Sequence, residues 1–89
     1  PTHYAVALRY DVEAGTAPRV VVKGKNWLAA RIRRKALEHQ VPIVENPPLA
    51  QAMYSSVKLG QEIPPHLYRA VAEILAYIYR LLQGRGPRA

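Results

Sequence analysis

The sequence contains no cysteine. That excludes a disulfide framework, thiolate metal sites and cysteine nucleophiles. No stretch approaches the roughly 18 apolar residues that a membrane span needs, and no signal peptide is visible, so any membrane attachment is expected upstream of Pro1. Acidic residues are scarce: six Asp plus Glu stand against thirteen Lys plus Arg, a formal charge of +7 with a pI near 10.2. An excess of this size on a small domain points to acidic partners, nucleic acid or anionic lipid. Internal repeats, a Ser-His-Asp order and paired carboxylates are all missing, and His39 and His66 have no companions at metal-ligand spacing. Neither a turnover enzyme, a metal site nor a cofactor is expected.

What is present suits one small globular domain. The apolar fraction is 49% of 89 residues, enough for a core but with a modest share of surface to bury. Residues 3 to 10, HYAVALRY, alternate with period two and read as a strand: Tyr4, Val6, Leu8 and Tyr10 face one way, and Ala5 and Ala7 on the other face leave room for a helix. DVEAGTAP reads as a loop punctuated by Gly15 and Pro18. Residues 19 to 23 carry three consecutive valines, the pattern of a strand buried on both faces. Asn26 is a candidate N-cap for a helix over 27 to about 39, with Leu28, Ala29, Ile32 and Ala36 as its apolar stripe. Residues 41 to 45, VPIVE, read as a third strand, which would complete a βαβ unit with a right-handed crossover and two parallel strands.

A second helix follows, capped by Asn46 with Pro47 at its first position and closed by Gly60. The last helix, about 65 to 83, carries Leu67, Val71, Ile74, Leu75, Ile78 and Leu82 on one stripe and Tyr68, Ala72 and Tyr79 beside it. A helix apolar over so much of its circumference is buried on more than one side or offers surface to a partner. The expected fold is α/β, a small mixed β-sheet flanked by helices over residues 1–83, with 84–89 as a flexible tail. A sheet this small gains from another strand, expected from the segment upstream of Pro1.

PTHYAVALRYD, APRVVVKG, VPIVENPPLAQAMY and GQEIPPHLYRAVAEILAYIYRL, in that order, resemble the cytoplasmic C-terminal domain of the FlhB family, the switch components of flagellar type III export with injectisome relatives. PTHYAVAL and GQEIPPHLY favour the flagellar branch. The family signature is Asn-Pro-Thr-His, cut by the chain itself between Asn and Pro, and Pro1, Thr2 and His3 match its last three letters. The resemblance therefore implies a fragment downstream of that cut. The chemistry fits the letters. Proline has no N–H, so ordinary deamidation through the following nitrogen is closed. The Asn amide nitrogen can instead attack its own backbone carbonyl, forming a succinimide and expelling the proline nitrogen. A turn that holds the two groups together supplies much of the rate. Two roles are open to His3, proton transfer to the leaving nitrogen or a hydrogen bond that shapes the turn. This is single-turnover self-cleavage. Asn46-Pro47 is an internal control, expected to be inert because the capping Asn is engaged with helix amides.

The resemblance further implies a hydrophobic surface for export substrates at Ala17, Pro18, Ala72 and Leu75, although plain core packing is equally open to Leu75. It implies several partners: the N-terminal fragment of the same protein held non-covalently, flagellar export substrates, a hook-length control protein and export-gate components such as FlhA. The implied location is the cytoplasmic face of the bacterial inner membrane. The basic run Arg31, Arg33, Arg34 and Lys35 has three readings: a solvated helix face, a contact with anionic lipid or an acidic partner, or nucleic-acid binding. No nucleic-acid fold motif accompanies it, and the aromatics fall on apolar stripes rather than among the arginines, so specific nucleic-acid binding is not expected. A basic α/β module for nucleic acid or an anionic membrane surface is the alternative to the export reading. Trp27 and Tyr54 read most simply as core or boundary aromatics.

Overall fold

The structure, a computed structural model, describes residues 1–84. Strand β1 (Tyr4–Arg9) pairs antiparallel with β2 (Arg19–Lys25), and helices α1 (Trp27–Glu38), α2 (Pro47–Ser56) and α3 (Tyr68–Gly84) follow, the last entered through a short 3-10 turn at Pro65–Leu67. The fold is α/β, as expected. The expected tail lies outside the described residues except for Gly84, which closes α3.

The alternation in β1 divides the sheet into two unlike faces. Tyr4, Val6 and Leu8 turn toward α2: the Tyr4 and Tyr54 rings lie 5.0 Å apart, and Val6 and Leu8 pack on the core. Ala5 is paired with Gly24 and Ala7 with Val22 on the opposite face, which α1 covers. The helix comes close there because nothing large intervenes. A Cβ on Gly24 would fall 2.5 Å from the Leu28 Cγ.

The valine run behaves differently from its pattern. The register shifts between Ala7 and Leu8, which pair with Val22 and Val20, leaving Val21 as the extra residue of a β-bulge. A bulge advances the alternation by one position. Val20 is therefore fully buried while Val21 and Val22 stay about half exposed. Beyond the bulge Lys23, not a valine, points to the α2 side. Its ammonium donates to the carbonyls of Tyr54 (2.9 Å) and Val57 (2.7 Å), at the helix end where the macrodipole favours a cation.

The third strand does not form. Among the described residues the sheet has two strands, both antiparallel, and residues 41–46 belong to none. Three local causes act together. Gln40 takes a positive φ of 59°, and the Gln40 and Val41 N–H groups close on the Leu37 and Ala36 carbonyls (3.3 and 2.8 Å), a Schellman stop that reverses the chain against α1. Pro42 has no N–H for a ladder. Glu45 is drawn to Arg33 on the flank of α1 at 2.8 Å. The outer edge of β2 is instead occupied at its start by residues 60–63: Val20 N–H donates to the Gln61 carbonyl (3.0 Å), and Gly60 N–H to the Val20 carbonyl (2.7 Å). Gly60 makes that turn with φ +84°.

The core lies on one side of the sheet, built from Val20, Leu49, Met53, Val57, Ile63, Leu67 and Val71. Helix α3 contributes its first turns to it. Its apolar stripe outruns the core, since Tyr77, Tyr79, Leu81 and Leu82 are exposed. No helix among the described residues is long and apolar enough to cross a membrane.

Candidate functional site

The loop before β2 and the outer side of α3 come together in one open groove of about 480 Å³. The loop supplies Ala17 and Pro18. Pro18 is buried, and its carbonyl accepts from Ile63 N–H at 2.9 Å, so this wall is fixed to the strap that flanks β2. The strap is held in turn by Arg19, whose guanidinium donates to the Gly60 carbonyl (2.9 Å) and to the Glu62 carboxylate (3.2 Å). The facing wall is α3, where Tyr68, Ala72 and Leu75 follow at i, i+4 and i+7 and share a side of the helix. Ala72 is exposed; Leu75 is half-buried and also packs on the core edge. Both readings of Leu75 thus describe the same side chain.

Ala17, Pro18, Ala72 and Leu75 were each singled out in sequence, and all four line this groove. Tyr10, Glu62 and Tyr68 also line it and were not singled out for it. For Tyr68 the helical spacing to Ala72 was an available signal. For Tyr10 and Glu62 there was none, since only the strand pairing and the strap bring them near. The groove is mostly apolar, rimmed by half-exposed tyrosines, and falls within the size range of small-ligand sites. It suits a short apolar segment better than a reacting small molecule, because the one carboxylate of its lining, Glu62, is taken up by the Arg19 guanidinium.

The second sequence-derived site sits at the start of the chain. Pro1, Thr2 and His3 are all exposed. His3 is held by its backbone: its carbonyl accepts from Asn26 N–H at 2.8 Å, and its own N–H donates to Asn26 Oδ1 at 3.3 Å. Among the described residues the imidazole makes no hydrogen bond. Asn26 therefore does not cap α1 through its side chain. Its φ of 56° and ψ of −119° place it in a turn, with the side chain facing back to His3. Asn46 does act as the cap, its Oδ1 accepting from Leu49 N–H at 3.2 Å while its carbonyl accepts from Ala50 N–H at 2.9 Å. The side-chain amide whose nitrogen would have to attack at Asn46–Pro47 is thus held at the start of the helix.

The basic run divides. Arg33 turns aside to Glu45, and Lys35 approaches Glu38 at 3.9 Å. Arg31 and Arg34 make no ion pair among the described residues and share the outer side of α1 with Trp27. Trp27 is 72% exposed, so it is not a core or boundary aromatic, and one aromatic does stand among the arginines.

Residues 1–78 match the model of the FlhB HrpN YscU SpaS family. The chain is 52% identical over 85 residues to the flagellar biosynthetic protein FlhB of Salmonella typhimurium, covering 96% of this chain and 22% of that protein. It is 51% identical over 83 residues to FlhB of Bacillus subtilis, covering 93% and 23%. The chain thus spans less than a quarter of the length of these relatives. Among solved structures, the cytoplasmic domain of FlhB from Shewanella putrefaciens superposes with a TM-score of 0.84 at 49% identity, over 96% of this chain and 72% of that one. The PscU C-terminal domain superposes at 0.83 and 37% identity, over 88% and 99%.

Proposed function

The chain belongs to the FlhB HrpN YscU SpaS family, and on that premise we propose that it is the cytoplasmic part of a flagellar export switch that docks export substrates in the groove between its β2 loop and α3. The observation that carries this reading is the convergence of Ala17, Pro18, Ala72 and Leu75, far apart in sequence, on one apolar opening. Substrates would lay a short apolar segment across α3 between Tyr10 and Tyr68. The hook-length control protein and export-gate components such as FlhA are the other partners this role calls for, at the cytoplasmic face of the inner membrane.

The switch itself is a single bond broken once. An Asn preceding Pro1 cyclises, its amide nitrogen forming the new C–N bond as the bond to the Pro1 nitrogen breaks and that nitrogen takes up a proton. Two features support the reading. The stretch after the bond is exposed at Pro1 and Thr2 while His3 is clasped by Asn26, so the site has a fixed footing and a free turn. The outer edge of β1 has no partner among the described residues, which suits an upstream strand that stays paired after the cut. Freed at Pro1, the loop permits the change from rod and hook subunits to filament subunits.

Ala72→Asp is the cleaner test of the groove, because Ala72 is exposed whereas Pro18 is buried and Pro18→Asp would disturb the fold as well. Binding of a purified export substrate should fall at least tenfold with Ala72→Asp and stay within about twofold with charge reversal at Arg33 and Arg34. The reverse ranking would move substrate docking to the basic helix. For the cleavage, the longer protein should cut before Pro1 without added protease, and should stop when the preceding Asn is replaced by Ala. Equal cutting by that Ala variant rules out cyclisation.

A further inference from the structure

We propose that the outer face of α1, with Trp27 flanked by Arg31 and Arg34, is a docking surface for an anionic phospholipid bilayer. It is separate from the groove and independent of substrate docking and of cleavage. The face is built from opposites that soluble proteins rarely leave together in water. Trp27 is 72% exposed, although a buried indole contributes more to stability than almost any other side chain. Arg31 and Arg34, one turn and two turns further on, have no carboxylate partner among the described residues, while the one acid on this face, Glu38, lies near Lys35 at 3.9 Å.

An indole with guanidinium groups beside it matches the bilayer interface, where tryptophan sits at the level of the headgroups and arginine pairs with lipid phosphate. The other side of α1 lies on the sheet through Ala29 and the close contact at Gly24, so the helix can rest on a membrane without leaving the domain.

Trp27 is the single tryptophan and reports directly on the contact. The chain should be titrated with vesicles of phosphatidylcholine alone and with about 30% phosphatidylglycerol, an anionic lipid. The expected result is a blue shift of Trp27 emission, with co-sedimentation, on the anionic vesicles only and weakening as salt is raised. Charge reversal at Arg31 and Arg34 should reduce the partition coefficient by more than about 25-fold, since each positive charge lost counts for roughly fivefold and the factors multiply, and Trp27→Ala should reduce co-sedimentation at least about tenfold. If the reversal variant does not give the wild-type circular dichroism spectrum, the Arg31→Gln, Arg34→Gln pair replaces it, with a loss of about 25-fold expected. No shift on anionic vesicles, or equal binding by the folded variants, overturns the proposal. Tighter binding to a single-stranded RNA or to polyglutamate than to the vesicles at the same salt also overturns it, and gives the face to nucleic acid or to an acidic protein.

Discussion

On the side of the sheet that carries Tyr4, Val6 and Leu8, two helices and a strap bury large side chains such as Met53, Ile63 and Val71. On the side that carries Ala5, Ala7 and Gly24, one helix covers the sheet and Ala29 is its single buried residue. The first side is held by apolar area, the second by proximity. The free energy of burial scales with the area removed from water, so most of the stability should lie with α2 and the strap. Helix α1 needs only its small inner stripe to stay seated, and this leaves the rest of its circumference free to be basic and to expose Trp27. The functional surfaces follow that division: the groove is an opening at the edge of the packed side, and the cationic face is the back of the thin side.

Truncation on the two sides is the strongest way to break this comparison. Leu49→Ala should cost about 2–4 kcal/mol, because it removes a buried side chain from a core that can collapse only in part. Leu28→Ala, at a side chain already 38% exposed, should cost less than about 1 kcal/mol. Urea titrations of both variants measure the difference. Equal losses would mean that α1 carries as much of the fold as α2.

Proximity itself is tested next. Gly24→Ala places a Cβ against Leu28 Cγ, Cδ2 and Cβ at 2.5, 2.7 and 3.0 Å, and should cost about 1–2 kcal/mol through overpacking. All three obstructing atoms belong to the Leu28 side chain, two of them beyond its Cβ. The double variant Gly24→Ala, Leu28→Ala should therefore be more stable than the sum of the two single losses requires. Strict additivity in thermal melts would show that the helix is not seated by this contact.

The packed side was the legible one. Alternation in residues 3 to 10 placed Tyr4, Val6 and Leu8 on one face and the two alanines under a helix, and the stripe from Leu67 through Val71 and Ile74 held the residues that the 3-10 turn and the start of α3 bring to the core. These positions repeat with the period of their own element, so no distant residue had to be known. The groove residues were legible only through the family resemblance, since nothing in local periodicity brings Ala17 to Ala72. Two of the failures share a cause: the bulge at Val21 and the strap at residues 60–63 are each set by a partner elsewhere in the chain. The stop at Gln40 is local, but it rests on a positive φ that glutamine does not announce. A run of valines or a VPIVE segment reads the same whether or not an edge is free to receive it. Trp27 was misread for a related reason: composition favours burying an indole, and only the placement of α1 showed that no layer lies above it.

The smallest effects separate two asparagines that look alike in sequence, each standing one residue before a helix. At Asn46 the side chain does the capping, through Oδ1 and the Leu49 N–H. Any short acceptor should serve there: Asn46→Ser should be neutral within a few tenths of a kcal/mol, while Asn46→Ala should lose about 1 kcal/mol. At Asn26 the backbone conformation is the constraint, with φ 56° and ψ −119°, a region that side chains enter at a cost and glycine enters freely. Asn26→Ser should therefore lose about 1 kcal/mol through strain. Asn26→Gly should be within about 0.5 kcal/mol of the parent: it relieves that strain, gives up the 3.3 Å contact to His3 N–H, and adds chain entropy to the unfolded state. It keeps the stronger half of the clasp, the 2.8 Å bond from the residue 26 N–H to the His3 carbonyl, so β1 should remain anchored beside α1. Chemical denaturation of the four variants checks the pattern. If Ser is tolerated equally at both positions, the backbone conformation is not what constrains residue 26, and a short side-chain acceptor is enough to hold the turn.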